Sequence, residues 1–386
     1  MMGIPRLAIV VFATGLLLSF PNSARAQAPG DSPPPAPEPV VDAPSELPPP
    51  TPVLPGALVD HPPSPPHLPE LPPAETFAPG ERGFGGFGGT MSPIVGHLVP
   101  LASYRFAWFP SERVQGQPTN LGYTRHDLSL VVPVWQDAID ELSLNAHVRA
   151  EFFTTNAILP DTLQPFPDEL WNVHFGATYR RLFDNGWIAG GSVSVGSASD
   201  KPFHSINEMT AGVNAFLRIP RGEHDAWIFT LSYSPTGELG FPVPGVAYLW
   251  QPSPDFRAFI GLPFSLMWRP IDDLTLDFSY MLIRTVHARA TYRLCPAARV
   301  YTAFDWSNEG YFLADRPSDN DRFFYYDKRL SAGVLFHLNH NATLDFSGGY
   351  AFDRFYFEGA RFSDNGFNRV DVGNGAFLAV RIGVRY

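Results

Sequence analysis

The sequence predicts an all-β chain: an antiparallel up-and-down transmembrane β-barrel of about 16 strands, preceded by a proline-rich segment without regular structure. Three observations predict it. Apolar residues alternate with polar ones at a period of two over runs of about ten residues, the length and dyad pattern of a membrane barrel strand. Short connections are interleaved with long ones. After the first 26 residues no run of 18 apolar residues exists, so a chain that crosses a bilayer must do so with strands closed into a barrel, where every amide finds a partner.

The N-terminus carries the marks of export. Arg6 gives a positive start, Leu7 to Phe20 an apolar run, and Ala24-Arg25-Ala26 a small-x-small site, which together predict a signal peptide cleaved after Ala26. Cys295 is the sole cysteine, so no disulfide can staple the exported chain. Residues 27–80 form a second segment. Between Pro29 and Pro79 lie 20 of the 41 prolines, seven acidic residues and no Lys or Arg. Proline fixes φ and removes the amide donor, so the segment reads as an anionic, semi-rigid polyproline spacer. It is either an unselective linker or a periplasmic arm reaching for the cell wall or a partner. Residues 81–97, beginning ERGFGGFGG, read as a glycine-rich hinge, and 98–386 as the barrel.

Within 98–386 each strand shows the same division. Leu142, Leu144, Ala146, Val148, Ala150 and Phe152 oppose Ser143, Asn145, His147, Arg149 and Glu151, and Met209, Ala211, Val213, Ala215 and Leu217 oppose Thr210, Gly212, Asn214 and Arg218. Leu330, Ala332, Val334 and Phe336 share a third apolar face. A soluble sandwich shows the same period, so the connections decide. Gln136 to Asp140, Phe183 to Gly186, Pro220 to Asp225 and Asn339 to Asn341 are short; Pro110 to Leu121, Thr154 to Leu170, Ser234 to Gly245, Asn308 to Asp321 and Glu358 to Gly373 are long. Short periplasmic turns and long outer loops belong to a barrel inserted from the periplasm. The eight tryptophans fall at or near strand ends, as interfacial girdles require. Further short turns at Pro252 to Asp255, Pro270 to Asp273 and Cys295 to Ala298 place outer reversals at Leu262-Pro263 and Arg284-Thr285. Counting both gives 16 strands; without them the count is 12 or 14.

The last strand, Asn374 to Tyr386, sets Leu378, Val380, Ile382, Val384 and Tyr386 against Phe377, Ala379, Arg381, Gly383 and Arg385. An apolar face ending in an aromatic resembles the C-terminal strand of bacterial outer-membrane barrels, which implies that Tyr386 is an assembly signal for the barrel assembly machinery. Alternation also nominates the lumen: Arg149, Glu151, Arg180, Arg218, Asp277, Arg329, Asp345 and Arg381 fall on the polar faces. Opposed charges there either form a selective constriction, as charge rings do in pores, or pair and plug a narrow interior.

The stretches DWSNEGYFLADR (Asp305 to Arg316), DRFFYYDKRLSAGV (Asp321 to Val334) and SGGYAFDRFYFEGA (Ser347 to Ala360) resemble an uncharacterised family of bacterial proteins assigned as outer-membrane β-barrels, a domain of unknown function. The resemblance covers about residues 95–386 and implies a location and a fold but no reaction. These segments set Asp305, Glu309, Asp315, Arg316, Asp327, Asp353, Arg354 and Glu358 beside aromatics at the outer rim, where they would bind a polar ligand or pin the long loops. Catalytic signatures are lacking: the histidines are scattered, no HExxH, CxxC, GxSxG or Walker motif occurs, and no ligand pair has metal spacing. Neither cofactor nor metal is expected. A net charge of -11 and a pI near 5.4 exclude nucleic acid. The expectation is a barrel in the outer membrane that passes or binds small polar solutes. A closed barrel tying the membrane to cell wall or partners through the arm is the alternative, and an outer-leaflet enzyme the third reading.

Overall fold

The computed structural model describes residues 94–236, 241–281, 285–316 and 318–386. The chain divides into two units, Met1–Pro72 and Pro73–Tyr386, and everything described belongs to the second. The signal peptide, the proline-rich segment and most of the glycine-rich segment lie outside the described residues, as does Arg284.

Seventeen strands form one sheet closed on itself: β1 (Leu101–Arg113), β2 (Asn120–Gln136), β3 (Asp140–Thr155), β4 (Glu169–Leu182), β5 (Ile188–Ser199), β6 (Met209–Arg221), β7 (Asp225–Tyr233), β8 (Val243–Ser253), β9 (Phe256–Gly261), β10 (Phe264–Ile271), β11 (Leu274–Met281), β12 (Thr285–Cys295), β13 (Ala298–Tyr311), β14 (Arg322–His337), β15 (Ala342–Gly359), β16 (Val370–Val372) and β17 (Gly375–Arg385). Each stave pairs antiparallel with its sequence neighbours, and β1 closes on β17. The three-residue β16 pairs with the upper end of β15 and bridges to Val114 just beyond β1 above the wall, so the wall has the 16 staves that the turn pattern predicts. The last rung of the closure is the Tyr386 amide, which donates to the Pro100 carbonyl (3.1 Å).

Register follows the alternation because a one-residue slip would turn every apolar side chain inward. Phe106, Val380, Phe346, Val334 and Val300 are successive cross-strand partners on β1, β17, β15, β14 and β13, all on the outer face. Leu378, Val193 and Phe175 on that face are 59%, 57% and 53% exposed. An apolar belt of this extent on a closed sheet is compatible with lipid and not with water. Trp135, Trp187, Trp227, Trp250 and Trp268 lie toward the end with the short turns, and Trp108, Trp171 and Trp306 toward the end with the long loops. Thr124, the partner of Trp108, and Trp135 are eleven residues apart on β2. At about 3.4 Å per residue and a tilt near 40° this gives an apolar band of roughly 28 Å, close to a bilayer core. Trp108 and Trp306 are not at strand ends, since β1 and β13 each continue five residues beyond them.

Two connections differ from the sequence reading. Asp200 to Glu208 is a further long loop, ending in a short 3-10 turn capped by Ser205; its mixed residues blurred the strand ends around it. Residues 94–97, read as the end of a hinge, are packed into the barrel as described below.

Candidate functional site

The interior is filled unevenly, and three features shape it. The first is an aromatic and aliphatic core in the loop-end half, on the side of β13, β14, β15, β17, β1, β2 and β3. Phe109, Leu121, Tyr123, Tyr311, Phe323, Tyr325 and Tyr356 are inward and fully buried. The connection from 156 to 168 folds into it: Ala157, Leu159 and Phe166 are buried, and the Phe166 ring meets Phe153, Phe323 and Tyr356 at 5.0 to 5.5 Å. Asn368 clips that loop to the one after β15, accepting from the Asp161 and Thr162 amides (2.9 and 3.0 Å) and donating to Glu358.

Beneath this core lies a charged layer. Glu309 on β13 reaches five and six staves around the ring to Arg125 on β2 (3.4 Å) and Arg149 on β3 (2.6 Å). Arg125 also pairs with Glu151, and Arg149 with Asp127. The Tyr123 and Tyr325 hydroxyls share a hydrogen bond (2.7 Å), and Tyr325 donates to Asp327 (2.7 Å), which faces Arg329 at 3.2 Å. Four arginines, with Arg354 the fourth, stand here with five acids, Asp127, Glu151, Glu309, Asp327 and Asp305, the last beside Arg329 and His287, so the layer is within one charge of balance. Arg354 lies 5.7 and 5.8 Å from the Phe109 and Tyr123 ring centres.

The second feature is a pinch. β5 and β13 stand eight staves apart, opposite one another in the ring, yet the Phe312 amide after β13 donates to the Ala198 carbonyl of β5 (2.7 Å). Ala314 N–H donates to Asp200 (2.8 Å), and Arg316 Nη2 to the Asn207 carbonyl (2.9 Å). Lys201 meets Asp315 at 2.8 Å; its ammonium holds that loop carboxyl below the usual carboxylate range. The loop-end mouth is therefore split into two halves, and the half running from β5 through β6 to β12 is lined by Ser192, Ser194, Asn214, Ser232, Ser265 and Ser279, all partly accessible.

The third feature is a strap at the turn end. Residues 94–99 precede β1 and run beneath β2 to β4: the Ile94 carbonyl accepts from Arg180 (2.5 Å), Gly96 N–H donates to Glu141 (3.0 Å), and Leu98 N–H to Gln136 (3.0 Å). Gly96 has φ +80 and so little space that a Cβ would meet the Asp137 carbonyl oxygen at 1.9 Å. Val95 thereby enters an apolar patch of Ile188, Phe216, Ala226, Ile228, Ala247 and Leu249 on the inner faces of β5 to β8. Val95→Asp should lower the unfolding free energy in detergent by about 1–2 kcal/mol through lost apolar burial. An unchanged urea midpoint would show that the strap does not dock.

Of the residues singled out in the sequence, Arg149, Glu151, Arg180, Arg218, Asp277, Arg329, Asp345 and Arg381 all stand at inward positions. The eight rim residues do not form one cluster. Asp305, Glu309 and Asp327 belong to the interior layer, where Asp305 meets His287 at 2.7 Å. Asp315 and Arg316 lie in the loop over the pinch. Asp353 is on the outer face, 2.7 Å from Lys328. Arg354 and Glu358 are buried inside because a bulge at Phe352 to Phe355, with Asp353 at φ +51, reverses the alternation along β15. A single extra residue gives too weak a signal to read in sequence. Tyr123, Arg125 and Asp127, absent from the residues singled out, lie on the inward face of β2 and are readable from the alternation of Tyr123, Arg125, Asp127 and Ser129 in GYTRHDLSL.

His147 and His174 are cross-strand partners hydrogen-bonded to Ser129 (3.1 Å) and Thr210 (3.0 Å), the latter reaching over Gly196. Among the described residues no group of three or more His, Cys, Asp or Glu side chains is placed to hold a metal ion.

The architecture defines a closed 16-stave antiparallel barrel with an apolar exterior. No protein-family model matches the sequence, and no curated protein matches it; the likeness at 305–360 remains a resemblance. Solved structures that align include an outer membrane channel from Pseudomonas putida F1 (10% identity, 75% of this chain and 94% of that one, TM-score 0.32). Pseudomonas aeruginosa OpdD (10%, 75% and 100%, 0.35) and a Pseudomonas aeruginosa FadL homologue (11%, 74% and 90%, 0.32) also align. The likeness is too loose to carry the function of any of them to this chain.

Proposed function

We propose that the protein is an outer-membrane pore for small polar solutes, with a narrow, bent lumen. The observation that supports it is the diagonal arrangement of the filling. The aromatic core occupies the loop-end half on one side, and the Val95 patch the turn-end half on the other. The two remaining quarters are polar: Ser103, Ser129, Ser143, Ser331 and Ser347 below the core, and the serines of β5, β7, β10 and β11 across from it. A solute entering beside the split mouth on the β6 to β12 side would pass the charged layer and leave under the core. Such a route admits small hydrated molecules and excludes bulky ones.

The bridge through Glu309 favours a second reading, a closed barrel that anchors the membrane through the segment before residue 94. Purified protein in planar bilayers separates the two: steady single-channel currents, lowered by Ser194→Trp, support the pore, and a silent bilayer supports the anchor.

Placement in the outer membrane rests on the apolar belt, the predicted signal peptide and the terminal strand. Deleting Tyr386 should cut outer-membrane yield, because the terminal aromatic is the proposed address for the assembly machinery. Deleting residues 28–80 behind an intact signal should leave yield unchanged, since they hold no strand pattern. The opposite outcome, measured side by side, would move the address to the arm.

A further inference from the structure

We infer that the pore selects small anions, carboxylates or phosphates, in the turn-end half of its lumen; this rests on the pore reading. The charged layer of the loop-end half holds one acid more than it has arginines, and His287 lies against that acid, so the layer supplies no cationic excess. The turn-end half is not. Arg180 and Glu141 there face each other at 3.4 Å and are engaged with the strap. Beyond that pair, the Arg293–Asp273 pair (2.9 Å) and Arg385 at the strand end, six arginines point inward, Arg105, Arg218, Arg257, Arg289, Arg299 and Arg381, against two acids, Asp277 and Asp345. They come from β1, β6, β9, β12, β13 and β17, so the excess of cations is spread around the ring and is not one local pairing.

Two details sharpen the argument. Arg105 and Arg381 are direct cross-strand partners at the β1–β17 seam, a like-charge juxtaposition that costs stability in a sheet. Asp345, the neighbour of Arg381, also faces Arg289 at 3.9 Å and accepts from Tyr301 (2.8 Å), so one carboxylate serves several partners. Between them lies a small cavity lined by Arg105, Arg381, Asp345, Tyr301 and Ser347. Guanidinium forks and hydroxyls are the donors that carboxylate and phosphate oxygens require. The chain as a whole is acidic, at -11, so this cationic lining runs against its composition. Low-dielectric walls focus such a field along the lumen and concentrate counter-ions there.

The test is the reversal potential of the purified full-length protein in planar bilayers under a KCl gradient, followed by potassium phosphate on the turn side. A chloride-to-potassium permeability ratio of about 3 or more, with phosphate reducing the chloride current, is the expected result for a lumen lined by fixed cations. Arg105→Gln and Arg218→Gln, each checked for heat-modifiable folding, should move the ratio toward unity. Steady current with a potassium preference, or with none, overturns anion selection and leaves the pore reading intact. Absence of any current overturns both.

Discussion

Glu309→Ala should destabilise the folded barrel by about 3–5 kcal/mol, the range for removing one member of a buried ion pair and stranding its partners. Glu309 is the only acid within 4.0 Å of both Arg125 and Arg149 among the described residues, and their side chains are 4% and 12% exposed. Removing it leaves two guanidinium groups with Glu151 and Asp127 alone, in a layer roofed by the aromatic core. Glu309→Gln keeps the acceptor for the Tyr311 hydroxyl, which donates to Glu309 at 3.0 Å, and should cost less than the alanine. The measurement is the urea midpoint of folding into vesicles. Equal stability of the alanine variant and the parent would show that the layer is wet and that its pairs are screened. The same variant unties β13 from β2 and β3, so its single-channel conductance should rise relative to the parent.

Val380→Arg and Val334→Arg should each cost roughly 2–4 kcal/mol, the penalty for a cation on the lipid face near the midplane. Both residues lie on the rung running from Phe106 through Phe346 to Val300, and their neighbours offer no acid. Ser331→Asn is the control: Ser331 is on the same strand as Val334 but stands between Ala303 and Gly349 on the inner surface, away from lipid, where a polar side chain carries no transfer penalty. Equal tolerance at all three positions would invert or abolish the inside-outside register.

Much of the wall was legible in the sequence for a physical reason: with lipid outside and a polar lumen inside, the side-chain period of two is imposed on every strand at once. The reversal at Leu262-Pro263 and the short turns after β8, β10 and β12 follow from the same logic and give 16 staves. What fills the wall was not legible. The contact between Phe312 and Ala198 joins segments separated by more than a hundred residues, and nothing local in either marks it. The strap was hidden because Ile94 to Val99 is too short to show a period of its own, and its docking depends on Arg180 and Glu141 far along the chain. The inward arginines could be named from alternation, but their sorting into a near-balanced layer and a cationic half depends on height in the barrel, which only the pairing supplies.

The staves are unequal. β14, β15 and β2 have 16, 18 and 17 residues, whereas β9, β10 and β11 have six, eight and eight. At about 3.4 Å per residue and a tilt near 40°, β9 spans only some 15 Å of a hydrocarbon layer near 25 Å. Lipid must thin along that flank by several ångströms, at a fraction of a kcal/mol for each. Its outward residues, Phe256, Ala258, Ile260, Phe264, Leu266 and Trp268, then face compressed acyl chains. The barrel carries a built-in thin side, so two copies that bring these flanks together would relieve the compression, and thicker bilayers would drive them to do so.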